Sequence, residues 1–318
     1  MKKNTFVAGV SILVFVALLA FSARQNRREM PLRLRIATGG ESGVYYSYGE
    51  AIAEVLEKKF NVPVTAQSSG GSVENLRLAR QGRVELAFVQ NDIMTYAYNG
   101  TDLFSTEGPF REFSAVVGLY PEFCQIVAGR NIEKIQDLAG KKISIGDEGS
   151  GTEQNALQIL NAYGLSYTDI LPEHLSFAGS VAAFKEGKID AFFCTAGVPT
   201  PAITDLAASG KAHLLSVGEA HARALISRYP YYSWQTIEAG VYPGIEEQAE
   251  TVALQATLIA SDKLDGQTVF EILETLFGER AALSRLCEKA ELLDPETAVN
   301  GIPIPLHPGA EKYFFKKK

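Results

Sequence analysis

Cysteine is scarce in this chain of 318 residues: Cys124, Cys194 and Cys287, none in C-x-x-C spacing. That excludes a zinc knuckle and a thioredoxin-like redox pair. Each lies in an apolar run ("EFCQIV", "DAFFCTAG", "LSRLCEKA") and reads as a buried free thiol. A Cys124–Cys194 disulfide is the alternative that an exported chain allows. Histidine is rare too, and His174, His213, His221 and His307 are scattered without metal-ligand spacing, so no metal is expected. His307, in "PLHPG", reads as a turn or packing residue because no partner is near to tune it. No G-x-S-x-G elbow and no H-E-x-x-H is present, which removes two hydrolase signatures. With no nucleophile–base pair visible, the chain reads as a non-enzyme. Positive charge is short, 30 Lys and Arg against 37 Asp and Glu for a net −7, which excludes a general nucleic-acid binder.

Phosphate-loop motifs are missing as well, although the glycine-rich strand-to-helix turns that usually carry them are present. "IATGGESGVYYSYGEAIAEVL" and "ISIGDEGSGTEQNALQIL" each read strand, turn, helix. "GGESGV" is not G-x-G-x-x-G: Gly39 and Gly40 are adjacent and Glu41 stands where a second Gly belongs. Neither stretch has the Lys of a Walker loop, and Glu41, Asp147 and Glu148 add negative charge. Nucleotide binding is set aside and no cofactor is expected. Such turns still present unpaired N–H groups at the positive end of a helix, which suits one small anion. In "GSGTEQNAL", Ser150 and Thr152 add hydroxyls, and Gly149 and Gly151 let the backbone come close. Ser150 and Glu153 also form an S-x-x-E capping box.

The chain starts with Lys2 and Lys3 before the apolar run "FVAGVSILVFVALLAFSA". Residues 1–23 read either as a cleaved export signal or as a membrane anchor. The expected location is the periplasm or the outer face of the cytoplasmic membrane. After a polar linker, the strand "LRIATG" opens a β-turn-α repeat. "GEAIAEVLEKK" and "SVENLRLARQG" are helices, the second with Ser72 as its expected N-cap, and "VPVTAQSS" and "VELAFVQND" are strands. "FSAVVGLYPEFCQIVA" is β-rich and expected to break at Pro121. The pattern then restarts at "KKISIG". This predicts an α/β fold of mainly parallel sheets in two lobes, 31–118 plus 251–318 and 119–250, with the glycine-rich turns at strand carboxyl ends facing one cleft. "SSGGSVENL" repeats the turn, Gln90, Asn91 and Asp92 end one strand at the cleft edge, and Thr195, Gly197 and Pro199 follow another. Tyr45 and Tyr46 follow the first turn, one of them facing the cleft. Tyr229, Tyr231, Tyr232 and Trp234 read as an aromatic cover over a core edge.

Taken in order, "TGGESGVYYSYGEAIAEVL", "SSGGSVENLRLARQGRVELAFVQND", "LYPEFCQIVA", "DLAGKKISIGDEGSGT", "FKEGKIDAFFCTAGVPTPAITDLA", "GVYPGIEEQAETVALQATLIAS" and "GIPIPLHPGAEKYF" resemble the TAXI-type solute receptors of TRAP transporters. The resemblance implies a type II periplasmic-binding-protein fold and a monomer that closes on a small organic anion, an acidic amino acid or a dicarboxylate. It implies delivery to TRAP membrane permease subunits. A membrane-tethered ligand sensor on the same fold is the alternative. By the same resemblance the binding loops are 38–43, with Thr38, Gly39, Gly40, Ser42 and Gly43; 68–72, with Ser69, Gly70, Gly71 and Ser72; Gln90, Asn91 and Asp92; Gly149, Ser150, Gly151 and Thr152; and 195–199, with Thr195, Gly197 and Pro199; Tyr45 joins them from its position after the first turn. Glu41 departs from the small residue usual in the first turn and points either to solvent or to a ligand amine. No Arg stands in the turns to clamp a carboxylate, which leaves Arg111 or Arg130 as the candidates to reach the cleft.

Overall fold

A long mixed sheet runs through the molecule and carries helices on both faces, in a computed structural model that describes residues 33–315. The expected signal or anchor over 1–23 and the terminal lysines lie outside the described residues. The strands are β1 (Leu34–Ala37), β2 (Val64–Gln67), β3 (Leu86–Gln90), β4 (Phe113–Gly129), β5 (Lys142–Ser144), β6 (Leu171–Glu173), β7 (Ala191–Ala196), β8 (Ala212–Leu214), β9 (Ser233–Ile237) and β10 (Ala249–Ser261). Their order is β2-β1-β3-β10-β4-β7-β5-β6, with β8 beside β4 and β9 beside β10. Parallel pairs lie at the two ends, β2-β1-β3 and β7-β5-β6, each fed by crossover helices.

Antiparallel β4 and β10 join these ends, and they are long because each serves both. Residues 256–260 of β10 pair with β3, whereas 249–253 pair with β9. In β4, residues 113–123 pair with β10 and 123–128 with β7. Pro121 does not break β4 as expected. It sits opposite Gln255, beside register shifts that let the strand bend without ending.

The main helices are α1 (Val44–Phe60), α2 (Ser72–Arg80), α3 (Asn91–Asn99), α4 (Gly151–Ala162), α5 (Phe177–Lys185), α6 (Pro201–Ala207), α7 (Glu219–Arg228), α8 (Gly266–Gly278), α9 (Arg280–Leu286) and α10 (Pro308–Phe315). In α1, Ile52, Val55 and Leu56 bury the face the periodicity predicts, and Lys58 and Lys59 lie in the last turn, where cations oppose the helix dipole. The helix stops at Asn61, which takes the left-handed conformation at φ 54°. In α2 the N-cap is Gly71 rather than Ser72, because the Ser72 hydroxyl is turned to accept from the Gln90 N–H at 3.1 Å.

Ile52 and Leu56 join Phe88, Leu258, Ile272 and Leu276 in a core under the β1 end. Under the β5 end, Ile126, Ile143, Ile159, Leu160 and Phe193 form another. All three cysteines are buried and free. His307 is a buried packing residue: one ring nitrogen meets the Leu264 carbonyl at 3.0 Å and the other accepts from Gly309 N–H at 3.2 Å. Burial lowers its pKa and keeps it neutral. Among the described residues no helix is long and apolar enough to cross a membrane.

Candidate functional site

Three glycine-rich turns meet at the carboxyl ends of strands and line one cleft. Gly39, Gly40, Gly43 and Tyr45 come from the turn after β1 and the start of α1, and Gly70, Gly71 and Ser72 from the turn before α2. Across from them stand Asp147, Ser150, Gly151 and Thr152, Phe177 at the head of α5, and Thr195 and Ala196 at the end of β7. The floor is Gln90 at the end of β3 with Tyr120 and Glu122 on β4.

Several turn residues are held from behind. The Thr38 hydroxyl donates to the Gln67 carbonyl at 2.8 Å and ties β1 to β2. Ser69 donates to Asn75 Oδ1 at 2.6 Å, and Asn75 Nδ2 reaches the Phe88 carbonyl at 2.8 Å. Thr38 and Ser69 therefore lie outside the cleft and shape its first wall. On the second wall Ser150 caps α4, accepting from Glu153 N–H at 3.1 Å, and Glu153 reaches back to Gly149 N–H at 2.7 Å. Only the forward half of the expected capping box forms, because the acid meets Gly149 N–H instead of the cap residue's own N–H. Thr152 Oγ1 accepts from Thr195 N–H at 3.3 Å, so this hydroxyl binds the two second-wall segments together. At Gly197 an added Cβ would meet the Tyr120 ring at 3.0 Å; Gly197 is packed behind the cleft, and Pro199 lies beyond it.

Asn91 and Asp92 are not at the cleft edge. They open α3, a helix the strand reading of "FVQND" overlooks, and both are buried behind the floor. Asp92 Oδ2 accepts from Asn155 Nδ2 at 3.1 Å, and the same amide donates to the Tyr232 hydroxyl at 2.9 Å. Tyr232 in turn donates to Gln158 Oε1 at 2.6 Å, and Gln158 Nε2 donates to the Tyr96 hydroxyl at 3.2 Å. Tyr232 is thus part of a polar network rather than only an aromatic cover. Ser42 and Glu41 line an outer groove instead of the cleft, with Asp147 shared by both. Glu41 is exposed. Arg111 lies over the Tyr98 ring at 3.8 Å and Arg130 is exposed; neither lines the cleft.

Glu122 is 2% exposed and accepts from the Tyr45 hydroxyl at 2.7 Å. Burial pushes its pKa up to about 8, opposed by the Tyr45 bond, with the Asp92 charge adding a rise. Burial likewise lifts Asp92 to about 7, against hydrogen bonds from Ile93 N–H and Asn155. Half-buried Asp147 is also raised, by burial and then by Glu74. Gln90 Oε1 and the Tyr120 hydroxyl are buried without a partner.

Val44, Tyr120, Glu122, Asp147 and Phe177 line the cleft without having been singled out as binding residues, and Ala196 lines it within the expected loop 195–199. Tyr120 and Glu122 had one usable signal. Two polar residues at alternate positions of an otherwise apolar strand face the same side. Phe177 had none, since it reaches the cleft by packing near Gly43 from the opposite wall, 3.6 Å from where a Cβ would stand.

The sequence pattern of the NMT1-like family matches residues 36–317. The fold is that of periplasmic solute-binding proteins. The alkanesulfonate-binding protein SsuA of Xanthomonas axonopodis pv. citri, solved bound to MOPS, superposes with a TM-score of 0.51 at 20% identity, over 90% of this chain and 84% of that one. A binding protein of a phosphonate ABC transporter from Pseudomonas aeruginosa gives 0.50 at 9% identity, over 81% and 78%. A 61-residue stretch is 38% identical to an Escherichia coli (strain K12) protein named for aliphatic sulfonates, and spans only 19% of this chain and 19% of that protein.

Proposed function

The chain belongs to the NMT1-like family, and from that premise we propose that it is an exported receptor that closes on one small organic ligand and passes it to a membrane transporter. The observation that carries this is the convergence of glycine-rich turns from both ends of the sheet on a single buried cleft. In this reading 31–118 plus 251–318 form one lobe and 119–250 the other, with β4 and β10 as the hinge strands. Separate apolar cores under the two ends support that division. Contacts across the cleft support a closed state: Gln90 against Gly151, Phe177 near Gly43, and Lys289 donating to the Val198 carbonyl. A ligand touching both walls stabilises that state over the open one. The cleft lining has no His, Cys, Lys or Arg among the described residues, which favours binding over catalysis.

The ligand carries an oxyanion, which the bare N–H groups at the starts of α1, α2 and α4 receive. Carboxylate is the group the TAXI resemblance names, and sulfonate or phosphonate the groups named for the relatives. The recipient is a TRAP permease on the first footing. The relatives, by contrast, include a component of an ABC transporter. Native mass spectrometry of the protein as purified, with a thermal-stability screen of small carboxylates, sulfonates and phosphonates, tests the receptor reading. A bound small molecule and a raised Tm in at least one class are expected. No retained mass and no stabilisation by any class would sink it.

A further inference from the structure

We propose that Glu122 selects the ligand by pairing with an ammonium group, so that the cleft takes a small zwitterion rather than a simple anion. This rests on the receptor reading and narrows its ligand. Glu122 and Asp147 both face the cleft, and among the described residues no lysine or arginine lines it. A dianion placed there meets Asp147 and finds no lysine or arginine among the described lining residues, so its second charge is left uncompensated in a site of low dielectric, and it keeps Glu122 from ionising. The remaining buried polar groups ask for a donor. Gln90 is 3% exposed, lines the cleft, and its Oε1 has no partner. A ligand ammonium offers three donors on one positive charge, enough for Glu122 and Gln90 Oε1 together. Its oxyanion end is then left to the N–H groups of the glycine-rich turns, on the walls above the floor.

Titratable neighbours agree on the sign. Tyr45 on α1, Tyr120 and Cys124 on β4, Asp92 on α3 and Cys194 on β7 interact with Glu122, and each of them is neutral or anionic. With its pKa at about 8, Glu122 holds a proton at neutral pH while it faces no ammonium. Pairing requires the carboxylate, so the proton passes to water and one is released for each ligand bound. Affinity therefore rises with pH, approaching tenfold per unit below about pH 8, and levels off above. A ligand without an ammonium predicts the opposite: the protonated acid donates to its oxyanion, and affinity falls as pH rises.

Five probes separate these cases by titration calorimetry at pH 6, 7 and 8, each in two buffers of different ionisation heat. L-alanine and L-glutamate are amino carboxylates, taurine is an amino sulfonate, and succinate and ethanesulfonate lack the amine. The inference expects at least one amino probe to bind with proton release, and its amine-free counterpart to bind about 10- to 100-fold more weakly. Taurine against the amino acids decides which oxyanion the turns hold. Glu122→Gln is expected to weaken the amino probe and abolish the proton release, which is also read directly on the unsubstituted protein. Succinate or ethanesulfonate binding as tightly as the amino probes, or affinity falling as pH rises, overturns the inference and leaves the receptor reading standing. Binding of none of the five overturns the inference, while the broader screen of anions still decides the receptor reading.

Discussion

Gln90 and Gly151 are fitted to each other across the cleft: a Cβ at position 151 would stand 1.8 Å from Gln90 Oε1. One residue ends β3 and the other begins α4, so the contact joins the two walls. Hydrogen in place of a side chain is what allows the Gln90 amide to lie over the helix start. Gly151→Ala is expected to displace that amide while leaving the fold, because the obstructing atoms are the far end of a side chain. Ligand affinity, followed by calorimetry with whichever probe stabilises the protein, should drop about tenfold, the worth of one hydrogen bond to a charged group. Unchanged affinity would remove Gln90 from the site.

Asp92 and Glu122 give the unliganded protein an unusual dependence on pH. Their folded pKa values, about 7 and about 8, lie above those of an unfolded chain. Between the unfolded and folded values the native state holds more protons, so stability falls as pH rises. Urea unfolding of the ligand-free protein should show the greatest stability near pH 4 to 5, a decline through pH 8, and a plateau above. Glu122→Gln should flatten the upper part of that decline. A stability that climbs from pH 5 to 8 would mean that both carboxyls are ionised at neutral pH in the native state.

The Tyr232 hydroxyl accepts from Asn155 and donates to Gln158, 2.9 and 2.6 Å away, with all three residues buried. Tyr232→Phe keeps the ring and strips both bonds, leaving buried amides short of a partner. A loss of about 1–3 kcal/mol in unfolding free energy is expected. A change under half of that would show that water takes over the hydroxyl's role.

Much of the fold was readable because β-turn-α units announce themselves locally: glycine turns, helical spacing in "GEAIAEVLEKK", a stop at Gly82. The walls of the cleft were readable for the same reason, since Gly39 to Gly43, Gly70 to Ser72 and Ser150 to Thr152 lie in such turns. The floor was not. Tyr120 and Glu122 owe their place to β4 running on through Pro121, and that depends on pairing with β10, more than a hundred residues away in sequence. Asn91 and Asp92 looked like strand-end polar residues because nothing local says that α3 begins there. Glu41 stands out because it sits in a conspicuous turn, whereas Glu122, which lines the cleft, lies in an apolar strand with no glycine-rich turn to mark it.

Glu41 supplies the contrast that checks this geometry. Its side chain is exposed in the outer groove beside Ser42, Ser68 and Ser69, and only the shared Gly40, Gly70 and Asp147 connect that groove with the cleft. A charge on an open surface is screened by water and salt, so it contributes little to a ligand held inside. Glu41→Ser is therefore expected to change both the unfolding free energy and the ligand-binding free energy by no more than about 0.5 kcal/mol. The comparison is made at low and at physiological salt, since any long-range effect of the charge weakens with screening. A change in affinity beyond about threefold that persists at the higher salt would place the Glu41 carboxylate in contact with the ligand. The site would then extend outward past Gly40, and Glu122 would no longer be the only glutamate with a claim on the ligand.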